Sequence, residues 1–435
     1  MYGRRQARSR VRRAPAPVTS SPAPPLGEMI ERITQDSLKS DGDHVGIENV
    51  KLVASYNWIS SSSPEIIIPG QPPRWTPPKD LKRLSPDSGE YYRDVNAAAY
   101  PKHPLEPAIV SVMKINPNPI PVNIVACGST IGNLLRFARG VDLDRPFRML
   151  VEKVGETVHL IRRENSPREK IEGVRGYGHT FPEAYTTWES SVKRSTSHQR
   201  ILSYQFGGLD LMVRFEGDGY ISSSPVAKTV KGHAFDEMES LGITESPSNG
   251  TGKLKVSDGG ESIPQSSVFD LKTRSVWPPE KDHLGEQLPR LWIAQVTQFL
   301  LAYHEYGLFE DIEIKNVEAN IIEWQDLNQP SLKRLAALLR LIISEAHGSR
   351  DGKLEIVWSN SGSLEIRKQL SDAGDVLSDP VRKQWEAWLG SEDMNPEDSE
   401  REEELTAAQS DSDSDSGSDY AACDQECGYC GKCIY

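Results

Sequence analysis

The sequence predicts an α/β fold of the α+β kind, in which helices flank a mixed central sheet and both chain termini are disordered. Along residues 28–390, short apolar runs typical of buried strands are interspersed with segments of helical periodicity. The length of 435 residues and the 37% hydrophobic content allow a sizeable core. The 33 glycines and 30 prolines predict long loops between these elements.

The first half of this region, residues 28–165, is predicted to form the N-terminal α/β part of the core. In chain order we expect a helix over 29–38, a strand over 47–55, an extended loop over 69–78, a helix over 105–115, a strand over 122–126, a helix over 130–138, and a hairpin of 148–152 with 157–162 that turns at Gly155.

The second half, residues 166–390, is predicted to complete the core around a polar insertion at 221–265 that is rich in glycine and serine. In chain order we expect strands over 200–220 and 266–274, a helix over 288–306, strands over 312–324, a helix over 332–346, a hairpin of 354–358 with 364–367, and a helix over 381–389.

The charges are concentrated at the two ends of the chain. Residues 392–426 contain 14 acidic side chains and one arginine, which account for the whole net charge of −13. Residues 1–27 contain six arginines and no acid. We therefore expect a disordered Arg/Pro-rich arm at 1–27 and a disordered acidic tail at 391–422. The remainder is close to neutral, which argues against a broadly basic nucleic-acid surface but leaves room for a local basic groove.

The cysteine and apolar patterns bear on location. Four of the five cysteines lie within residues 423–435, a distribution that does not fit a disulfide scaffold and favours an intracellular protein. No apolar run approaches the roughly 18 residues of a membrane helix, so we expect no membrane association. The arginines of residues 1–13 suit a nuclear import signal or a mitochondrial presequence, and the scarcity of apolar residues between them favours the nuclear signal. The oligomeric state does not follow from the sequence.

Two predicted strands carry ionisable side chains among apolar neighbours. Asp210 lies within the first, and Asp270 and Lys272 lie two residues apart on the second. Alternation along a strand places Asp270 and Lys272 on one face, where Asp210 of a neighbouring strand can join them. Paired carboxylates suit Mg²⁺ or Mn²⁺, and a lysine beside the metal can position water and stabilise charge on a phosphate. The alternative is that each acid is a structural partner in a salt bridge.

The arrangement of Gly208-Leu-Asp210 and Asp270-Leu-Lys272-Thr resembles motifs II and III of the PD-(D/E)XK nuclease superfamily. The resemblance is to its RecB-like branch and to the decapping exonucleases, and it covers about residues 170–310. It implies a catalytic role for Asp210, Asp270 and Lys272. It also implies that a glutamine on the next helix faces the site. Gln295 with Phe299 fits that spacing, Gln298 with Tyr303 fits it more loosely, and Trp292 with Gln295 compares with the decapping relatives.

A glycine-rich turn upstream carries two further candidates. In the RecB-like branch a histidine follows such a turn and opens a helix. His179 in the segment from Arg175 to Glu183 occupies a similar position, with a spacing one residue tighter than that branch implies. Glu183 follows four residues later and shares a helical face with it, so either can ligate the metal or accept a proton. The structural alternative for His179 is a turn or cap residue.

The whole chain also resembles a family of fungal proteins whose members often carry the name geranylgeranyl pyrophosphate synthetase. Ser55-Tyr-Asn-Trp58 and the segment from Cys127 to Phe137 carry that resemblance. A prenyl synthase binds diphosphate through Mg²⁺ on two Asp-rich helical motifs, whereas this sequence has no adjacent pair of aspartates and no nearly all-helical pattern. Prenyl-diphosphate metabolism is therefore the least favoured alternative.

The C-terminal cysteine cluster is dense enough to bind a soft metal. It consists of Cys423, Cys427, Cys430 and Cys433. Zn²⁺ and an iron–sulfur cluster are both open, and the RecB-like resemblance implies that Cys127 can supply a fourth ligand to a cluster held by three tail thiols. The alternatives are reduced, solvated cysteines in the tail and a buried core residue at Cys127.

The sequence therefore predicts a Mg²⁺- or Mn²⁺-dependent nuclease or related phosphodiesterase that acts on nucleic acid. The alternative is a nuclease-fold protein that binds nucleic acid or another partner without cleaving it. DNA and RNA, and internal and terminal cleavage, are equally compatible with these residues.

Overall fold

A computed structural model describes residues 21–39, 42–222, 253–277, 282–360 and 362–390 of the chain. The predicted Arg/Pro-rich arm before residue 21, most of the polar insertion, the acidic tail and the four C-terminal cysteines lie outside these residues.

The described residues form seventeen strands and eight α-helices. The strands are β1 Met29–Ile33, β2 Ile47–Ile59, β3 Glu65–Pro69, β4 Arg74–Trp75, β5 Ile124–Cys127, β6 Phe147–Val154, β7 Thr157–Arg162, β8 Thr186–Thr187, β9 Ser195–Phe206, β10 Leu209–Glu216, β11 Gly219–Tyr220, β12 Lys255–Gly259, β13 Val268–Ser275, β14 Gln298–Glu305, β15 Leu308–Asn316, β16 Lys353–Trp358 and β17 Leu364–Lys368. The helices are α1 Val95–Ala99, α2 Glu106–Ile115, α3 Gly128–Arg139, α4 Thr180–Tyr185, α5 His283–Ala294, α6 Glu318–Leu327, α7 Gln329–Gly348 and α8 Asp379–Leu389.

The strands are divided between two sheets, which confirms the predicted mixed α/β fold. The larger sheet has the order β1-β17-β16-β6-β7-β5-β10-β9-β2-β3-β12, and the smaller has the order β15-β14-β13-β11-β4-β8. In the larger sheet β5 runs parallel to β7 and β10, and β9 runs antiparallel to β10. This sheet combines strands from both sides of residue 165, so the two predicted halves of the core are interleaved in it.

Both faces of the larger sheet are covered, which explains the continuous apolar run of β5. Ile124 and Ala126 point into a core that includes side chains of α3 and α7. Val125 points to the opposite face, into a second core that includes side chains of α2 and α8. A strand buried on both faces has no polar alternation, as the sequence shows.

The chain crosses from the larger to the smaller sheet between β10 and β11. Gly217 and Asp218 form this crossing, which is tightly packed. A Cβ at Gly219 would lie 2.4 Å from Phe269 Cζ and 2.9 Å from the Pro73 carbonyl oxygen, distances that no side chain can accept. Only glycine therefore lets the crossing approach β13 this closely.

Several predicted elements are confirmed with small changes of bounds. They are the strand β2, the helices α2 and α3, the strand β5, the hairpin of β6 and β7, the strands β9, β10 and β13, the helix α7, the hairpin of β16 and β17, and the helix α8. Gly155 adopts φ 60° in the β6–β7 turn, as the turn prediction requires.

Three predicted elements are wrong. Residues 29–38 contain strand β1, because pairing with β17 at the sheet edge overrides the local helical pattern. The predicted helix over 288–306 is the helix α5 followed by the strand β14, whose apolar run is buried between neighbours and so has no strand alternation. The predicted strands over 312–324 end at Asn316, and α6 begins at Glu318.

A buried histidine in β7 makes the fold sensitive to acid. His159 is fully buried, and its pKa is lowered to about 4, mainly because burial desolvates the charged ring. In the unfolded chain the pKa is about 6.5. Above that pH the ring is neutral in both states and the stabilisation is complete. As the pH falls towards 4, only the unfolded state takes up a proton, so the free energy of unfolding decreases.

We expect wild type to lose roughly 2 kcal/mol more stability than His159→Gln between pH 7 and pH 4.5. Urea unfolding at both pH values measures this difference. His44→Gln is the matched control, because His44 is exposed and its surface pair with Asp326 contributes at most about 1 kcal/mol. If His159→Gln and wild type lose the same stability on acidification, His159 does not remain neutral in the folded state.

Candidate active site

The centre of the candidate site is a buried ionic group on one face of β13. Asp270 and Lys272 are 5% and 0% exposed. Their neighbours Phe269 and Leu271 point to the opposite face, into a separate aromatic core. The helix α5 connects the parallel strands β13 and β14, and its Arg290 side chain reaches back to form an ion pair with Asp270. The predicted shared face of Asp270 and Lys272 thus lies on the α5 side of the smaller sheet.

The electrostatics of Lys272 are unusual for a lysine. Desolvation lowers its pKa well below the ordinary value, and the Arg290 guanidinium lowers it further. The carboxylates of Asp270 and Asp218 act in the opposite direction. A buried lysine is expensive for folding even when carboxylates partly offset its charge, and such groups concentrate at functional sites.

The second carboxylate of the site is Asp218, which the sequence analysis missed. Its Oδ2 atom accepts a hydrogen bond of 2.7 Å from the Leu271 backbone N–H, the residue between Asp270 and Lys272. The pairing of β11 with β13 sets this position. The signal was present in the sequence, because Glu216 and Asp218 are two acids in i and i+2 positions at the end of an apolar strand, immediately before the polar insertion.

The expectation that Asp210 lies on a strand adjacent to Asp270 is wrong. Asp210 lies at the start of β10 in the larger sheet, eight residues before Asp218. Its carboxylate accepts a hydrogen bond of 3.1 Å from Gln205, and its backbone N–H donates to Asn123. At about 3.4 Å per residue, the part of β10 from Asp210 to Glu216 is roughly 20 Å long. The acid that lies beside β13 therefore follows the end of β10, whereas the motif resemblance pointed to the acid at its start.

Glu183 lies on the short helix α4, and His179 is the residue immediately before this helix begins at Thr180. Asp87 caps this helix by accepting hydrogen bonds from the backbone N–H groups of His179 and Thr180. The His179 ring stacks on Tyr91 with the ring centroids 3.9 Å apart. Desolvation raises the pKa of Glu183, and the nearby Asp87 carboxylate adds to that effect. A catalytic role for Glu183 and a metal-binding role for His179 stay predictions.

The sequence predicted that Gln295 lies on a helix, but α5 ends at Ala294, one residue before it. It ends α5 in the left-handed conformation with φ 48°, and its side chain donates to the Trp292 carbonyl. The amide of Gln265 donates to the carbonyls of both Ala294 and Gln295, and Arg200 in turn donates to Gln265. This connection fixes the end of the helix that carries Arg290.

The other residues predicted for this helix are divided between α5 and the strand β14. Trp292 is buried in the core, where its indole N–H donates to Gln325. Gln298, Phe299 and Tyr303 lie on β14, and the Phe299 Cα atom pairs with that of Asp270. A catalytic role for Gln295 stays a prediction.

We expect Gln265→Ala to lower the free energy of unfolding by about 1–2 kcal/mol, because two partly buried carbonyls at the end of α5 lose their donor. Urea unfolding checks this value. Gln205→Ala, at an exposed glutamine, should cost less than about 0.5 kcal/mol. Equal effects of the two substitutions would show that Gln265 does not hold the helix end.

Metal binding was tested against the described side chains. Asp218 and Asp270 offer hard oxygen donors, which suit Mg²⁺ or Mn²⁺, and Mg²⁺ commonly uses one or two carboxylates with water and substrate oxygens completing its shell. Among the described residues, no group of three or more His, Cys, Asp or Glu side chains is positioned to hold a metal ion. The donor chemistry therefore fits a hard divalent cation, with the remaining ligands coming from water and substrate.

Cys127 gives no support to a zinc or iron–sulfur site. It ends β5 inside the core, and its thiol lies 3.1 Å from the Ser129 hydroxyl oxygen. The Cys423, Cys427, Cys430 and Cys433 thiols lie outside the described residues, so metal binding by the tail stays a prediction.

Solved structures share the fold described above. Scheffersomyces stipitis Rai1, in complex with 3′-NADP⁺ and calcium, aligns with a TM-score of 0.54 and 12% identity over 82% of this chain and 99% of that one. Candida albicans Rai1, in complex with pU5 and Mn²⁺, gives 0.52 and 10% over 85% and 100%. S. pombe Rai1, in complex with 3′-FADP, gives 0.52 and 11% over 79% and 100%.

The predicted PD-(D/E)XK nuclease-like fold is therefore confirmed. Residues 28–362 match the family model described as a domain of unknown function, DUF8563, and the chain belongs to that family. A search of curated proteins gave no match. The mixed sheets leave the prenyl-synthase name without support. In the ranges that the structure describes, no helix has the length and hydropathy to cross a bilayer.

Proposed function

We propose that this chain is a divalent-metal-dependent phosphodiesterase that cleaves single-stranded RNA carrying a 5′ phosphate. The observation that carries the proposal is the approach of Asp218 and Asp270 to the buried Lys272 where the two sheets meet. Two carboxylates and a lysine in a water-poor site are the components that phosphodiester hydrolysis requires. The complex of Candida albicans Rai1 with pU5 and Mn²⁺ supports the choice of ligand and metal.

In this account each side chain has a separate role. Asp218 and Asp270 would hold the metal through their carboxylate oxygens, and the Leu271 N–H keeps Asp218 oriented. A metal held by these two carboxylates would supply Lewis-acid activation of water and phosphate. Lys272 would hold the attacking water and offset the negative charge that develops on the phosphate. Because Lys272 is buried, bulk water does not screen its interaction with the phosphate.

The test is incubation of the purified chain with 5′-phosphorylated penta-uridylate in Mn²⁺, Mg²⁺ or a chelator. We expect shortened products with either metal and none in the chelator. Products of equal yield in the chelator would contradict a metal-dependent reaction.

A second candidate is a protein that binds nucleic acid without cleaving it. The ion pair of Arg290 with Asp270 favours this reading, because it occupies one of the two carboxylates. The same incubation separates the candidates: retention of the labelled oligonucleotide on the protein, with no product in any metal, would identify the binding protein.

A further inference from the structure

Arg290 places a cation of the protein itself against the candidate metal site. Its guanidinium forms an ion pair with Asp270, and the two side chains are 11% and 6% exposed. The arginine lies in the middle of the crossover helix α5, whose end is fixed through Gln265. Its position is therefore a property of a rigid element and is not an accident of a loose surface side chain.

This contact has a consequence for metal binding. A divalent cation that binds Asp270 must either displace the guanidinium or stay beside it, and two cations this close in a buried site repel strongly. A guanidinium that leaves Asp270 also needs another anion, because a buried charge without a partner is costly. The phosphate of a nucleic acid is a suitable partner, since guanidinium groups bind phosphate oxygens through two parallel hydrogen bonds.

We propose that Arg290 is an exchangeable counter-ion that couples metal binding to substrate binding. Without substrate, Arg290 holds Asp270 and weakens metal binding. When a 5′-phosphorylated strand binds, its phosphate forms an ion pair with the Arg290 guanidinium in place of Asp270. The Asp270 carboxylate is then available to the metal. Bound RNA therefore raises the affinity for the metal, and bound metal raises the affinity for RNA by the same factor, as linkage requires. This inference rests on the proposed function and adds a regulatory feature of the same site.

The test measures Mn²⁺ binding by electron paramagnetic resonance, with and without a phosphorothioate-substituted 5′-phosphorylated penta-uridylate that resists cleavage. For wild type we expect the oligonucleotide to tighten Mn²⁺ binding at least about fivefold. For Arg290→Gln we expect Mn²⁺ binding without oligonucleotide to be at least about tenfold tighter than in wild type, and the oligonucleotide to add little. Arg290→Lys, which keeps the charge, should bind Mn²⁺ within about threefold of wild type.

The outcomes separate the inference from the proposed function. If Mn²⁺ binding depends on Asp270 but Arg290→Gln binds no tighter than wild type, the counter-ion role is wrong and the metal site stands. If Asp218→Asn and Asp270→Asn bind Mn²⁺ as wild type does, or if no protein binds it, both ideas fail. If Arg290→Gln does not fold, the wild-type measurement still decides, because equal Mn²⁺ affinity with and without oligonucleotide contradicts the coupling.

Discussion

Asp218→Asn is expected to lower Mn²⁺-dependent cleavage of 5′-phosphorylated penta-uridylate by at least about 100-fold, whereas Asp210→Asn should leave it near the wild-type rate. An asparagine at 218 keeps an oxygen that can accept the Leu271 hydrogen bond, so the fold survives while a charged metal ligand is lost. An asparagine at 210 still accepts from Gln205 in the distant hairpin. Initial rates at saturating metal, with melting curves for each protein, measure the contrast.

This pair of variants separates the assignment made from the sequence motif from the assignment made from the fold. An equal loss of cleavage in Asp218→Asn and Asp210→Asn would show that closeness to Asp270 does not determine which aspartate is needed for cleavage. Full activity in Asp218→Asn with loss in Asp210→Asn would contradict the site described here.

Lys272→Met is expected to lower turnover by at least about 100-fold while changing the Mn²⁺ dissociation constant by less than about threefold. The lysine acts on water and phosphate in this account and is not a ligand. Methionine fills a similar volume, and urea unfolding in chelator checks that Lys272→Met keeps the fold. Single-turnover rates across a Mn²⁺ titration give both quantities.

Lys315→Met, at a more exposed lysine, is the matched control and should leave turnover and metal affinity unchanged. If Lys272→Met instead weakens Mn²⁺ binding strongly and leaves turnover at saturating metal intact, Lys272 organises the metal ligands and does not act on the substrate.

Local patterns predicted those parts of the fold in which periodicity and burial agree. The helix α7 has one continuous apolar face, and the hairpin of β6 and β7 has a glycine at its turn. The prediction failed where tertiary contacts decide the structure. The run Phe299-Leu300-Leu301-Ala302 suits a buried helix or a strand between two neighbours equally well, and pairing with β13 and β15 makes it a strand.

Half of the site was predictable for a similar reason. Asp270 and Lys272 share a face because they are two residues apart on one strand, and this follows from the sequence alone. Which other acid joins them depends on which strand lies beside β13. The strand β10 belongs to the larger sheet. The strand beside β13 in the smaller sheet is β11, which is two residues long. A strand that short leaves no periodic signal, so the sequence shows the acids Glu216 and Asp218 after β10 but not the pairing that brings Asp218 to β13.

Arg290 was also beyond prediction from the sequence. Its contact with Asp270 depends on the crossover of α5 over β13 and on the end of that helix at Gln295. The expected helix over 288–306 leaves no strand β14 beside β13, so the crossover that brings Arg290 to Asp270 does not follow from it.

Anomalous diffraction from crystals grown with Mn²⁺ and the cleavage-resistant oligonucleotide tests the central claim most directly. The account predicts a manganese peak with carboxylate oxygens of both Asp218 and Asp270 as ligands, and with the Lys272 amine nearby. A fully occupied manganese site elsewhere in the chain, with no peak between Asp218 and Asp270, would contradict it.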